Sequence, residues 1–189
     1  MRLDATRGDP ERSYLALANR LRIWTRHTAT DRTADHAERL HAQLAELWKR
    51  VAFNALVGNT DDHARNTGLL YDNMVWGLSP AFDITPHLIS PLHPIEEGPL
   101  LLLATGTDGR SGTGLARLAN AAHRMGLDRD EAMQWLTDTA GLVAQRWEAL
   151  LREAAAPITE DPARMERLVN DVRASFVYAE WVSTTSTAP

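Results

Sequence analysis

Gly58-Asn59-Thr60-Asp61-Asp62-His63-Ala64-Arg65-Asn66, followed downstream by Ser79-Pro80-Ala81-Phe82-Asp83, interrupts a chain whose apolar residues otherwise recur at helical spacing. Immediately before it, Leu40, Leu44, Leu47, Val51 and Ala55 step by four, three, four and four, which predicts a long amphipathic helix over 34–57. Gly58-Asn59 suits its C-terminal stop. After it, the apolar runs 68–71 and 74–78 flank Asp72-Asn73, a two-residue turn signal, and predict a small hairpin.

Working outward, Asp9-Pro10 reads as a cap and first-turn proline for a helix over 10–25, with Tyr14, Leu17, Leu21 and Trp24 inward. Asp31 or Thr33 is placed to cap the long helix. Pro80, Pro86, Pro91, Pro94 and Pro99 keep the segment around and after Asp83 from forming regular structure. A short apolar run, Leu100 to Leu103, leads into the glycine-rich stretch 105–114, read as a mobile surface loop. Leu115, Leu118, Ala122 and Met125 mark a helix that Gly126 ends. Asp128 with Glu131 resembles a capping box before a helix whose inward stripe is Leu136, Ala140, Val143, Trp147 and Leu150. Asp161-Pro162 opens a last helix with Met165, Leu168, Val172, Phe176 and Ala179 inward. The fold class is therefore mainly α with one small β-hairpin, a single domain over 1–182 and a frayed polar tail over 183–189.

Composition narrows the function. A net charge of -5, from 20 basic and 25 acidic residues, offers no basic field for a phosphate backbone, so direct nucleic-acid binding is disfavoured. No cysteine is present, which removes disulfides, thiolate zinc sites and thiol nucleophiles and is compatible with a cytoplasmic location. Neither a signal-peptide core nor an uncharged apolar run of about 18 residues occurs, so no membrane span is expected. His36 and His41, five apart on a helix, do not share a face as a zinc pair would. The six tryptophans read as packing residues.

Asp61 and Asn66 stand five apart, the separation of the protein-kinase catalytic loop, where the Asp accepts a substrate hydroxyl proton and the Asn holds a metal ion. The bland alternative is a loop whose Asp and Asn bond their own backbone. It does not account for Asp83, separated from Asn66 by sixteen residues, where two short strands running out and back would return a second metal-binding carboxylate. In the functional reading Asp61 orients the attacking hydroxyl and Asn66 and Asp83 ligate Mg2+ against ATP phosphates. Arg65 stabilises charge on the transferred group, or pairs with a surface acid. His63 braces the loop rather than moving protons, and Asp62 is read as solvated.

The blocks Phe53 to Asn66 and Leu78 to Ile84 resemble the C-terminal domain of HipA-family serine/threonine kinases, the toxins of bacterial HipBA toxin-antitoxin pairs. That resemblance implies a kinase C-lobe fold and ATP- and magnesium-dependent phosphorylation of a protein of the translation machinery. It also implies restraint by a HipB-like antitoxin. Asp61 matches the catalytic aspartate, Asn66 the metal-binding asparagine and Asp83 the second metal-binding aspartate. Arg65 stands where Lys or Arg is common, and Phe82 at an aromatic position often filled by Tyr.

One departure accompanies the match. About 57 residues precede the loop and read as helix, and the single lysine, Lys49, lies within the long helix, so the nucleotide-clamping N-lobe is expected to be absent from this stretch. The expected activity is that of a truncated or split kinase, with a separate N-lobe chain as a possible partner. Two other classes stay open: an inactive remnant that binds an antitoxin or partner, and a metal-dependent phosphohydrolase using Asp61, Asp62, His63 and Asp83.

Overall fold

Spacings of three and four give Leu44, Leu47, Val51 and Ala55 one face of a 23-residue helix, α2 (Ala34–Leu56). All four are buried, and so are Trp48, Ala52 and Leu56 on their flanks. The apolar face is thus broad enough for α2 to be packed on several sides, and it touches four other helices and the hairpin. Trp48 anchors this centre: its indole Nε1 donates to the Leu118 carbonyl at 2.9 Å and its ring meets Trp135 edge-on at 5.8 Å. A buried tryptophan requires such a partner for its one polar atom.

The computed structural model describes residues 12–28, 34–72, 75–87 and 94–185. Besides α2 these form α1 (Tyr14–Thr28), α3 (Leu115–Met125), α4 (Arg129–Ala155), α5 (Pro162–Arg173) and α6 (Val177–Thr185). One antiparallel hairpin, β1 (Leu69–Asp72) and β2 (Val75–Leu78), completes the set. The architecture is the expected one, mainly helical with a small hairpin. Asp128 Oδ1 accepts from the backbone N–H groups of Asp130 and Glu131, and Asp161 Oδ1 from Ala163, so both predicted N-caps operate. Gly126 ends α3 in the left-handed region. No helix among the described residues is long and apolar enough to cross a membrane.

Several local expectations change. Asp72 pairs with Val75, so the hairpin connection is residues 73 and 74 rather than 72 and 73; those two, like Asp9-Pro10, Asp31, Thr33 and Pro91, lie outside the described residues. The single last helix divides into α5 and α6. Ser175 leaves the helical path because its hydroxyl donates to the His87 carbonyl at 2.8 Å, while Phe176 stacks on Trp147 at 4.7 Å. Helix α6 runs on to Thr185, into the stretch expected to fray, and residues 186–189 lie outside the description. Leu150 faces solvent while Leu151 is partly and Ala155 fully covered, so the inward stripe of α4 continues on a neighbouring face. Trp24 is partly exposed and joins an aromatic cluster with Trp76 and Tyr71 on the hairpin.

Gly58 connects the helix stop to packing. Its φ is +64°, and a Cβ there would lie 2.7 Å from the Ser175 carbonyl oxygen, against backbone that has nowhere to yield. Left-handed backbone costs an L-residue about 1–2 kcal/mol, and forced overpacking about 1–3 more. Gly58→Ala is therefore expected to lower the unfolding free energy by about 2–5 kcal/mol in urea titration. A change within about 0.5 kcal/mol, the range of an ordinary surface substitution, would contradict this packing.

Candidate active site

The polar loop closes on itself through its backbone. Leaving α2, Asn59 N–H donates to the Asn54 carbonyl at 2.8 Å, and a short 3₁₀ turn, Ala64–Asn66, follows. The Asp61 carbonyl accepts twice, from His63 N–H at 2.9 Å and from Asn66 Nδ2 at 3.2 Å. The Asn66 side chain is thus tied to Asp61 through its N–H2 group, and its Oδ1 remains the available oxygen. The Asp61 carboxylate and Arg65 are exposed. The His63 backbone N–H and carbonyl take part in the turn, whereas the ring Nδ1, from which bracing was expected, is buried with no partner among the described residues.

The hairpin returns the second block to this loop. Ser79 N–H donates to the Gly68 carbonyl at 2.9 Å, two residues beyond Asn66, and a Cβ on Gly68 would lie 2.8 Å from the Ser79 hydroxyl and 3.4 Å from the Phe82 ring. At the far end, His87 N–H donates to the Gly58 carbonyl at 2.9 Å, and Ser175 holds the His87 carbonyl. Fixed at both ends, the segment between carries Asp83 at its exposed crest. Asp83 is the one non-glycine residue with positive φ among those described, at +57°. Asp tolerates this region better than most residues, yet such backbone persists only where its surroundings impose it, and it clusters at functional sites.

Asn66 thus shares the walls of one small pocket with Phe82 and Ile84, the neighbours of Asp83, while Asp61 and the Asp83 carboxylate lie at the surface outside it. No three His, Asp or Glu side chains among the described residues gather closely enough to hold a metal by themselves. The oxygens assigned from the sequence are instead one carboxylate, on Asp83, and one amide oxygen, on Asn66. Oxygens of that kind suit Mg2+, which keeps water and substrate phosphates in its shell and takes few protein ligands.

Asp62 is where the sequence reading fails. Far from solvated, it is 3% exposed. Tyr14 Oη donates to its Oδ2 at 2.6 Å, and the Leu102 backbone N–H donates to its Oδ1. Asn54 Nδ2 donates to Tyr14 Oη at 3.2 Å, and Asn59 Nδ2 to Asn54 Oδ1 at 3.1 Å. One hydrogen-bonded chain therefore runs from the loop through α2 and α1 to residue 102. Burial raises the Asp62 carboxyl above its ordinary range despite the bonds from Tyr14 and Leu102, which work the other way. Burial first, and then the adjacent Asp62 charge, push the Tyr14 phenol well up. The usable signal in the sequence was Tyr14 itself, since a tyrosine on a buried helix stripe needs a partner for its hydroxyl.

A family model described as the HipA-like C-terminal domain matches residues 5–147. The chain belongs to this family. Comparison with curated proteins returns no match. In this HipA-like domain the matched span takes in α1, α2, the loop, the hairpin, the Asp83 segment, α3 and most of α4. The glycine-rich stretch of the HipA-like domain is better fixed than expected of a mobile loop. Thr105 Oγ1 donates to the Gly112 carbonyl at 2.6 Å, Tyr178 Oη to the Thr113 carbonyl at 2.6 Å, and Arg117 grips Asp108 with two bonds of 2.9 Å. That loop borders an open cleft of about 990 Å³.

Proposed function

We propose that this HipA-like domain carries the phosphoryl-transfer half of an ATP- and magnesium-dependent protein kinase. The observation that supports it most is the return of the hairpin, which seats the strained Asp83 segment against the loop bearing Asp61 and Asn66. Asp61, exposed and tied to the described residues only through its backbone, is free to orient or take the proton of an incoming serine or threonine hydroxyl. Asn66 Oδ1 and the Asp83 carboxylate are the oxygens that would hold Mg2+. When bound, the ion neutralises charge on the phosphate oxygens. Arg65, exposed one residue before Asn66, would meet the charge of the transferred group.

The chain's single lysine is not a phosphate clamp: Lys49 Nζ lies over the Trp135 ring at 5.5 Å, a cation–π contact on the helical core. The clamp on the nucleotide would then come from polypeptide outside the described elements. A HipB-like antitoxin and a target in the translation machinery belong to the same proposal by family. The chain as given is accordingly expected to bind ATP–Mg2+ with a dissociation constant above about 1 mM, weaker than about -4 kcal/mol. Calorimetric titration giving micromolar affinity would refute that. The function itself is tested by transfer of labelled γ-phosphoryl from ATP to a protein hydroxyl once the clamp is supplied. Phosphate release from a small phosphoester without nucleotide would point instead to a hydrolase.

A further inference from the structure

Behind the catalytic loop lies a pocket of about 20 Å³, walled by Arg50 and Asn54 of α2, Asn59 and Asn66 of the loop, and Phe82 and Ile84 beside Asp83. Two of its wall residues carry buried polar atoms with no partner among the described residues, Arg50 Nη1 and Asn59 Oδ1. Asn59 is 2% exposed. An unmade hydrogen bond at a buried atom is destabilising by about 1–3 kcal/mol, so two at one pocket require a common explanation.

The polarity of the neighbouring network excludes an amide flip as that explanation. When ionised, the Asp62 carboxylate only accepts, so Tyr14 Oη donates to it and accepts from Asn54 Nδ2. Asn54 therefore turns its Oδ1 to Asn59 Nδ2, and Asn59 is left with Oδ1 as its unused atom. The residues lining the pocket thus carry one unused donor, on a guanidinium, and one unused acceptor, on an amide. A cation would be repelled by the guanidinium, and an anion by the amide oxygen and by Asp62. A species that both accepts and donates satisfies both atoms, and the volume admits one molecule of the size of water, which needs about 10–15 Å³.

We infer that this pocket is a hydration site holding one ordered water, which accepts from Arg50 Nη1 and donates to Asn59 Oδ1. Arg50 is already committed on its other nitrogens, with Nε donating to Glu46 at 2.8 Å and Nη2 to the Ser79 carbonyl at 2.5 Å. Arg50 and the water therefore form a strut from α2 to both halves of the candidate active site: the loop at Asn59 and the Asp83 segment at Ser79. Arg50 is a positioning residue. Its importance for catalysis rests on the kinase reading, whereas the water and the strut do not.

Two measurements on the full chain test this without any activity. A crystal structure at atomic resolution is expected to contain one fully occupied water within hydrogen-bond distance of Arg50 Nη1 and Asn59 Oδ1; a dry pocket, or one closed by a side chain, overturns the hydration site. In Arg50→Met, the backbone amides of Ser79 and His87, which donate to the Gly68 and Gly58 carbonyls and so hold the Asp83 segment at both ends, are expected to exchange with solvent at least about tenfold faster, with the amides of α4 unchanged. Unchanged exchange at those two residues overturns the strut. Should Arg50→Met fail to fold, Arg50→Lys, which keeps a cationic donor but loses the fork, is measured instead; it is expected to give a smaller acceleration at the same residues, and none there overturns the strut equally. Absence of phosphoryl transfer in the wild type would refute the kinase reading and leave both results standing.

Discussion

Asp61→Asn is expected to reduce phosphoryl transfer by about 10²–10⁴-fold, the usual contribution of a positioned acid–base group, while leaving the fold as stable as before. Stability should hold because the Asp61 carboxylate is exposed and makes no hydrogen bond or ion pair to the described residues. The structural work of residue 61 passes through its carbonyl, which accepts from His63 and Asn66 and which asparagine retains. Asp83→Asn should lower the rate as strongly by a different route. Asparagine tolerates left-handed φ, so the backbone survives and only the charge toward Mg2+ is lost. The two variants are separable: raising Mg2+ or substituting Mn2+ should recover part of the rate in Asp83→Asn and none in Asp61→Asn. Full activity in Asp61→Asn, with urea midpoints matching wild type, would remove that residue from the chemistry.

The elements legible in the sequence were those set by short-range periodicity and by caps. The α2 stripe, the Asp128 and Asp161 caps and the αL glycine at 126 each follow from residues within about two turns of one another, and each is found where expected. The hairpin was legible in kind and missed by one residue in register, because two apolar runs specify that strands pair but only weakly where they turn. The α5–α6 break was not legible, because its causes are His87 and Trp147, both distant in sequence. The same division runs through the site. Asp61, Asn66 and Asp83 were singled out by spacing alone, and the fold returns the segment of the third to the loop of the first two. Asp62 was misread, since its partners Tyr14 and Leu102 lie 48 and 40 residues away. Arg50 was not singled out by the sequence, because its partner Ser79 lies 29 residues away.

Asp62→Ala is expected to be the most destabilising change in the loop. It leaves the buried Tyr14 hydroxyl and the part-buried Leu102 N–H without acceptors, at about 1–3 kcal/mol each, so a loss of about 2–6 kcal/mol in unfolding free energy should follow. Tyr14→Phe, which removes the donor and keeps the ring, should fall well short of that. The pH dependence separates a buried carboxyl from a charge held by partners. Burial raises the folded-state pKa of Asp62 from its ordinary 3.8, so between that value and the raised one the folded protein keeps a proton that the unfolded chain has lost. Proton binding to the folded state in that window means that wild type loses stability, relative to a variant with no titrating group, as pH rises through it. The gap between wild type and Asp62→Ala should therefore be widest at the acid end of the window, narrow as pH rises, and become constant above the folded-state pKa. A carboxylate stabilised chiefly by its hydrogen bonds would give the reverse, a gap that opens with pH. Equilibrium unfolding of both proteins from pH 4 to 8 decides between a loop clamped by a carboxyl that its burial resists ionising and one clamped by a fully welcome charge.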